Sequence, residues 1–432
     1  MKNRKALALI AILALVAAAC GGSDGGSDDA VVEVETTEAP ATTEAPTTTA
    51  APAPAGDPLI LASLMPLSGD LASLGPGIAL GAALAVEQIN AAGGINGQPV
   101  VLIEGDSGCD GAVALTSLND VIAQGAQGVM GAACSGTSLA ILDTAIAAEV
   151  VMVSPSNTSP QFTKIDKKGF YARTAPSDLL QGDVLASLLV EDGVQTVSII
   201  SRADSYGRGL AEATAAAFEA AGGTVKTIVY HATDASEFTS EVTAVGKGGA
   251  DAIVGILFPE TGCGVLQPAF EQGLLDTPWY MTDGVKDAGL ASLCGLGTAL
   301  DGFKGTAPGS AAGEAKDAFE AAYAEVSADG SPTFIFAPQA YDAVMLMAIS
   351  AAANGVTGPE IASGLVAASS GGEKCIGVAC IALAADGVDV DYVGASGEIE
   401  LNAVGDPTAA TYDIWTTEGD TNPVLKSVDF GS

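Results

Sequence analysis

From residue 58 onward the chain alternates between uninterrupted apolar runs and longer segments whose apolar residues recur at helical spacing. The runs "LILASLMPL" (59–67) and "PVVLIEGDS" (99–107) have strand length, whereas "GIALGAALAVEQINAAGG" (77–94) is amphipathic and closes with glycines, as a helix end does. A second stretch repeats the plan, with "TVSIIS" (196–201) and "DAIVGILF" (251–258) as strands. Continuous apolar strands separated by helices predict parallel sheets covered on both faces, so we expect an α/β fold built from two such units.

Small polar loops follow two neighbouring strands. The segment "GAACSGTSLAI" (131–141) offers Ser135, Thr137 and Ser138 at a strand-to-helix turn, and "SPSNTS" (154–159) adds further hydroxyls after the next strand. Ligands of open parallel sheets bind beyond the carboxyl ends of the strands, where a helix N-terminus attracts anions such as a carboxylate. Capping of the helix by the same side chains is the simpler alternative. We favour anion binding over capping alone.

No catalytic constellation accompanies this loop. There is no G-x-S-x-G elbow, no Walker A pattern and no G-x-G-x-x-G after a strand, and the single histidine, His231, is predicted at the edge or surface of the other unit. Ser135 therefore lacks a base that could activate it. We expect a protein without enzymatic activity, without a cofactor and without a metal site.

The N-terminal region predicts export and anchoring. Residues 1–20 join a basic start to an apolar run and end at Cys20, the pattern of a lipoprotein signal peptide, so we expect Cys20 to be lipid-modified. Residues 21–57, with the repeated unit TTEAP, predict a disordered tether. Loss of three cations with the signal takes the formal charge from −36 to −39, which makes nucleic acid and anionic lipid surfaces poor partners.

The seven cysteines fit an oxidising compartment. If Cys20 carries lipid, six remain, and six cysteines allow 15 disulfide pairings. Pairing in chain order is the simplest arrangement. The six are Cys109, Cys134, Cys263, Cys294, Cys375 and Cys380.

Taken in order and spacing, several segments resemble the periplasmic-type, fold type I substrate-binding proteins of ABC importers, above all the branched-chain amino acid group. The segments that carry the resemblance are "PLSGDLASLG", "GAALAVEQINAAGGINGQPV", "GDSGCD", "GAACSGTS", "SPSNTSPQFT", "YARTAPSD", "SYGRGLA", "DAIVGILFPETG" and "APQAYDAV". The resemblance implies two α/β lobes with a ligand cleft between them, joined by three chain crossings. Matching segments places the crossings near Thr174, Thr306 and Gly405. Lobe 1 would then comprise 58–175 and 306–404, and lobe 2 would comprise 176–305 and 405–432.

The resemblance also implies a site for a zwitterionic ligand. Ser135, Ser156 and Thr158 of lobe 1 would bind the ligand carboxylate, and Tyr206 and Asp283 of lobe 2 would face its ammonium group. From the residues alone, Asp283 could instead cap a helix, and Tyr206 could be a packing residue at a helix start. The chain departs from the group at Leu74 and Leu257, where aromatic residues are common, although Phe258 adjoins the second position. Asp283 stands where glutamate is usual, so the preference for the ligand side chain is open.

The resemblance further implies a disulfide bond between Cys109 and Cys134, to which we add Cys263–Cys294 and Cys375–Cys380. We expect an extracytoplasmic, membrane-anchored lipoprotein, monomeric, that passes an amino acid or analogue to an ABC importer permease. Amide- and urea-binding relatives share much of the loop pattern and remain alternatives. A sensory ligand-binding module of the same fold is a further one, and it would be expected to carry a fused transmembrane or signalling segment, which 58–432 lacks.

Overall fold

The computed structural model describes residues 56–430. The predicted signal peptide, the lipidation of Cys20 and nearly all of the predicted tether therefore lie outside the described residues. Within 56–430, no helix combines the length and the apolar character needed to cross a membrane.

The first sheet has five strands, all parallel, in the order β2-β1-β3-β4-β5. Its central strands β1, β3 and β4 are almost wholly buried, as their continuous apolar runs predict. The strands are β1 Ile60–Met65, β2 Val101–Asp106, β3 Gly128–Gly131, β4 Val151–Ser154 and β5 Tyr171–Arg173.

Helices connect these strands, and local signals fix where they begin and end. Asp110 caps α2 by accepting hydrogen bonds from the backbone N–H groups of Ala112 and Val113. Gly125 follows the same helix with a φ of 90°, a left-handed position that favours glycine. The helices of this stretch are α1 Gly75–Ala91, α2 Gly111–Ala123, α3 Ser135–Ala147 and α4 Gln161–Lys164.

The second sheet has seven strands, in the order β15-β14-β10-β9-β8-β6-β7. Five of them are parallel, as predicted, but β14 and β15 run antiparallel and were not anticipated. The strands are β6 Thr196–Arg202, β7 Thr224–His231, β8 Ala252–Ile256, β9 Trp279–Met281, β10 Lys304–Pro308, β14 Ala410–Thr416 and β15 Val424–Phe430. The intervening helices are α5 Asp178–Glu191, α6 Ser205–Ala220, α7 Thr239–Gly246, α8 Pro259–Glu271 and α9 Leu290–Leu293, with 3-10 turns at Leu274–Asp276, Asp283–Val285 and Gly297–Leu300.

Between β10 and β14 the chain returns to the first sheet. The long helix α11 is buried from Ala337 to Ala351 because it packs between α1, α12 and α13. A small three-stranded sheet, β11-β12-β13, completes this unit. Its elements are α10 Glu314–Val326, α11 Ala337–Asn354, α12 Gly358–Ala368, β11 Glu373–Ile376, α13 Ala379–Ala385, β12 Val390–Gly394 and β13 Gly397–Glu398.

Three connections therefore join the two units, which we call lobe 1 (the first sheet with its helices and the return segment) and lobe 2 (the second sheet with its helices). Thr306, where we place a crossing, lies inside β10 of the second sheet, so the chain leaves lobe 2 after Pro308. Gly405, with a φ of 74°, accepts a hydrogen bond from the Arg173 backbone (3.0 Å) and has no room for a side chain beside Tyr171. The remaining lobe boundaries stay predictions.

Two side-chain predictions have clear outcomes in the fold. The three disulfide bonds Cys109–Cys134, Cys263–Cys294 and Cys375–Cys380 are present. His231 does lie on the edge strand β7, but it is fully buried, and the prediction of a surface position is wrong. Its ring packs against Phe238 in a tilted arrangement, with centroids 4.6 Å apart, and burial lowers the pKa of its imidazole.

Candidate functional site

The loops that follow β3 and β4 lie side by side, because the two strands are neighbours in a parallel sheet. Ser156 Oγ donates to the Ala133 carbonyl (3.1 Å), and Asn157 Nδ2 donates to the carbonyls of Ala132 (3.1 Å) and Ala133 (2.8 Å). Ser135 Oγ accepts a hydrogen bond from the Ser159 backbone (3.4 Å). The hydroxyls of both loops are thus held at one sheet edge, as the sequence predicts.

The N-terminus of α3 has no side-chain cap, which corrects the capping alternative. The cap position is Cys134, whose side chain makes no capping hydrogen bond and is committed to the disulfide with Cys109. Ser138 Oγ instead accepts a hydrogen bond from the Ala132 backbone N–H (3.0 Å) and donates one to the Ala132 carbonyl (3.2 Å). The first N–H groups of the helix therefore remain available, and together with the helix dipole they favour an anion at this point.

Lobe 2 contributes a buried carboxylate. Asp283 Oδ1 accepts hydrogen bonds from Gln181 Nε2 (2.7 Å) and from the hydroxyl of Tyr206 (3.0 Å), which also lies 2.9 Å from Thr282 Oγ1. Asp283 opens the short 3-10 turn, but the cap position there belongs to Thr282, so the helix-cap alternative for Asp283 is wrong.

Burial changes the acidity of this carboxyl group. It raises the pKa of Asp283 to about 6, although the hydrogen bonds from Gln181 and Tyr206 act in the opposite direction. At neutral pH the group is therefore ionised inside an apolar wall, a setting that favours a cationic partner.

A cavity between the lobes brings most of the predicted site residues together. It has a volume of about 350 Å³, including the part open to solvent. Six of the predicted residues line it: Ser135, Ser156, Tyr206, Asp283, Leu74 and Phe258. Thr158 is the exception: it is buried away from the lining, and its backbone carbonyl accepts from the Asp178 N–H (2.8 Å).

Six further residues line the cavity and were not predicted as site residues: Leu71, Ile78, Ala133, Cys134, Gly284 and Phe336. Most of them adjoin predicted positions along the chain, so proximity in sequence could have found them. Phe336 could not be found in this way, because it reaches the site from the turn before α11, about 50 residues along the chain from Asp283.

Phe258 lines the cavity and also contacts a residue that joins the two lobes. Its ring stacks on Tyr206, with centroids 5.4 Å apart, and the guanidinium of Arg202 lies 3.8 Å from its centre. Arg202 in turn pairs with Asp204 of its own lobe and with Asp70 of lobe 1, each at 2.8 Å. The neighbouring Leu257 is fully buried and does not reach the cavity.

Comparison with known proteins agrees with this architecture. The sequence family described as "Periplasmic binding protein" matches residues 58–374. The chain belongs to the periplasmic binding protein family. As a member of this solute-binding family it is a binding protein and not an enzyme, which the sequence predicts from the absence of an activating base.

Individual relatives of this periplasmic binding protein come from several bacteria. An "Amino acid binding protein" of Pseudomonas aeruginosa is 34% identical over 238 residues, covering 53% of this chain and 62% of the relative, so the match leaves over a third of that protein unaligned. Two solved structures share the fold, each with a TM-score of 0.72 and 87% of this chain covered. One is the branched-chain amino acid transporter substrate binding protein LivJ of Streptococcus pneumoniae in complex with isoleucine (22% identity, all of that chain covered). The other is a solute binding protein of Rhodopseudomonas palustris in complex with p-hydroxybenzoic acid (19% identity, 98% covered).

Proposed function

We propose that this protein captures an amino acid, of the branched-chain kind, in the cavity between its lobes and delivers it to an ABC importer. The observation that carries the proposal is the pairing of an uncapped helix N-terminus in lobe 1 with an ionised, buried Asp283 in lobe 2. A zwitterion has a carboxylate for the first and an ammonium group for the second.

The carboxylate end rests on Ser135, Ser156 and the first turn of α3. The Ser135 hydroxyl accepts from the Ser159 N–H, so its own proton is free to be donated to a ligand oxygen. Backbone N–H groups at the helix start add donors and a favourable dipole. Hydrogen bonds to a charged group are the stronger ones, which makes Ser135 a principal contributor to affinity.

The ammonium end rests on Asp283, with Tyr206 and Gln181 orienting it. Both hydrogen bonds from these residues go to Oδ1, which leaves Oδ2 for a cationic ligand group. Gln181 also donates toward Thr306 Oγ1 (3.3 Å) and so fixes the carboxylate against β10.

The space between the two charged ends is apolar, which favours an aliphatic side chain. The walls come from Leu71, Leu74, Ile78 and Phe336 of lobe 1 and from Phe258 of lobe 2. Leucine at position 74 gives an aliphatic surface rather than an aromatic platform. We expect leucine, isoleucine and valine to bind more tightly than alanine, since each buried methylene contributes about 0.8 kcal/mol.

A benzoate-type ligand is the second candidate, favoured by the stacked rings of Phe258 and Tyr206 and by the ligand of the R. palustris relative. Such a ligand has a carboxylate but no ammonium group, and it would leave the charge of Asp283 unpaired. Amide- and urea-type ligands would leave it unpaired as well.

The test is a thermal-shift and calorimetric screen of the purified protein against branched-chain amino acids, alanine, acetamide, urea and 4-hydroxybenzoate. We expect branched-chain amino acids to raise the melting temperature most. Ser135→Ala should weaken their binding about 10- to 100-fold, because a hydrogen bond to a charged group is worth about 1.5–3 kcal/mol. Ser198→Ala removes a buried hydroxyl from the middle of β6 and should leave affinity unchanged. If no amino acid binds, or if Ser135→Ala binds as wild type does, the proposed site is wrong.

Placement outside the cytoplasm follows from membership in this family and agrees with the three disulfide bonds. We add to the proposal that Cys20 carries a lipid anchor and that residues 21–57 tether the two lobes to the membrane. The lobes are proposed to be 58–175 with 306–404, adjusted at β10, and 176–305 with 405–432.

A further inference from the structure

Two carboxylates of lobe 2 reach across the cleft and bind backbone N–H groups of lobe 1. Glu260, in the first turn of α8, accepts from the Leu71 N–H (2.8 Å) through Oε2 and from the Ser73 hydroxyl (3.3 Å) through Oε1. Asp287, just after the 3-10 turn that contains Asp283, accepts from the Ile335 N–H (2.9 Å). Neither carboxylate lines the cavity.

The lobe 1 segments that they bind are two turns with the same unusual feature. The Leu71 turn (residues 69–74) has Leu71 at a φ of 63°, and the Phe336 turn (residues 334–337) has Phe336 at a φ of 60°. Non-glycine residues adopt left-handed φ values rarely, and bulky ones only when surrounding contacts maintain them. In both turns the left-handed residue lines the cavity, and in the first turn Leu74 lines it as well.

The contacts are therefore placed where they shape the apolar wall. Glu260 binds the N–H of Leu71 itself, and Asp287 binds the N–H of the residue before Phe336. Asp287 is itself held in place, because its backbone N–H donates to Asn422 Oδ1 (2.9 Å) and its carboxylate pairs with Lys286 (3.3 Å). Each contact joins a lobe 2 acid to a lobe 1 turn, so it exists only while the lobes are closed.

We propose that Glu260 and Asp287 are positioning residues that couple lobe closure to formation of the apolar pocket. When the lobes close, the two carboxylates fix the Leu71 and Phe336 turns in the conformation that presents both side chains to the ligand. When the lobes open, the turns lose these acceptors and the wall loses its shape. Discrimination among ligand side chains is then a property of the closed state alone. The inference rests on the proposed function, because it concerns the same cavity.

The arrangement predicts a specific kinetic signature. Ligand first meets the open protein, so its association rate does not depend on contacts that form afterwards. Its dissociation requires opening, which these contacts oppose. Loss of either carboxylate should therefore speed release, and it should reduce the preference for leucine over alanine because the wall that recognises the larger side chain is no longer fixed.

The experiment compares Glu260→Ala, Asp287→Gly and the double variant with wild type. Glycine at 287 retains the backbone conformation, since its φ of 61° suits a residue without a side chain. Matched controls are Glu271→Ala, an exposed acid at the end of the same helix α8, and Asp234→Gly, an exposed acid in a loop. Stopped-flow binding of leucine and alanine gives both rate constants, and the melting temperature of the ligand-free protein reports the fold.

We expect each variant to raise the leucine dissociation rate about tenfold, with the association rate within about threefold of wild type. Alanine release should become faster by a smaller factor, so the leucine-to-alanine affinity ratio should fall, while the ligand-free melting temperature and both controls stay unchanged. Unchanged dissociation rates, or equal losses for leucine and alanine, would overturn the proposal, since a merely structural role would not alter selectivity.

A distance measurement separates this proposal from the proposed function. Spin-labelled non-cysteine amino acids are introduced at the exposed positions Leu115 of lobe 1 and Phe270 of lobe 2. Double electron–electron resonance then measures the distance between the labels, which reports lobe closure. The double variant should shift the ligand-free protein toward longer distances. If wild type binds no amino acid, the proposed function fails while this arm still tests the two carboxylates. If the distances are the same in both proteins, the coupling role is wrong even where amino acids bind.

Discussion

At the scale of single residues, two buried carboxyl groups near the cleft differ in what surrounds them. Asp283 receives two hydrogen bonds and faces the cavity, whereas Asp178 is fully buried and does not line it. Burial, reinforced by the nearby charge of Asp283, raises the pKa of Asp178 well above its usual range, which favours its neutral form. Asp178 is thus suited to remain neutral in the interior, whereas the ionised Asp283 is suited to bind a cationic ligand.

The elevated pKa of Asp283 predicts how amino acid binding depends on pH. Below about pH 6 the free protein carries a proton on this carboxyl, and a ligand ammonium group must displace it. The dissociation constant should then rise about tenfold for each pH unit below 6 and stay flat from pH 7 to 8. Titration calorimetry between pH 4.5 and 8 measures this, with proton release expected on binding at the acid end.

The matched variant for this prediction is Asp283→Asn. It should bind amino acids weakly and with no change between pH 5 and 8, because the titrating group has been removed. A ligand with a carboxylate and no ammonium group, such as 4-hydroxybenzoate, should not bind more weakly below pH 6. Wild-type amino acid affinity that is constant from pH 4.5 to 8 would show that Asp283 does not face the ammonium group.

At the scale of secondary-structure elements, a disulfide occupies the place of a helix cap. Cys134 stands at the position where serine or threonine would bind the first N–H groups of α3, and its sulfur joins Cys109 in the loop before α2. The bond fixes the start of α3 against the end of the first sheet. It thereby leaves the helix N-terminus both rigid and uncapped, as an anion site requires.

Removing this disulfide should affect both stability and binding. Cys109 and Cys134 are 25 residues apart, and Cys375 and Cys380 only five. The chain-entropy relation gives about 3.5 kcal/mol for the first loop and about 2 kcal/mol for the second. Cys109→Ala/Cys134→Ala should therefore lower the free energy of unfolding more than Cys375→Ala/Cys380→Ala, and only the first pair should weaken amino acid binding. Urea denaturation and calorimetry measure the two effects, and equal loss of affinity in both variants would contradict the role assigned to Cys134.

Prediction from sequence worked best for elements whose signals are local. Continuous apolar runs located β1, β3, β4, β6 and β8, because a strand that is buried on both faces has apolar residues at consecutive positions. The antiparallel strands β14 and β15 have no such run, since β15 is an edge strand with exposed positions, and they were missed.

The same contrast applies to the site. Ser135, Ser156 and Asp283 follow strands, where parallel sheets place ligands, and the structure puts all three in the cavity wall. Thr158, in the same loop as Ser156, points elsewhere, because the orientation of a loop side chain depends on contacts that the sequence does not display. Phe336 and the acids that reach across the cleft depend on how the two lobes meet, which only a three-dimensional structure gives.

At the scale of the whole molecule, the excess of negative charge affects the stability of the folded state more than any single ion pair does. The chain has 52 acidic and only 16 basic residues, so most carboxylates have no cation to pair with. The buried cations form specific ion pairs: Arg173 and Lys167 with Asp406 near a crossing, Lys286 with Asp287, and Arg202 with Asp70 across the cleft. The other carboxylates on the surface repel one another, and this repulsion opposes the compact folded state.

This excess of negative charge predicts that salt stabilises the protein. Repulsion between exposed carboxylates acts over about 30 Å at 0.01 M salt and over about 3 Å at 1 M, so added salt removes most of it. The few exposed ion pairs that salt also weakens contribute little. We expect the melting temperature to rise by several degrees between 0.02 and 1 M NaCl, equally in KCl, with most of the increase below 0.3 M, where screening changes fastest. Differential scanning calorimetry measures it, and a melting temperature that is constant or falls over this range would mean that like-charge repulsion does not limit the stability of the folded state.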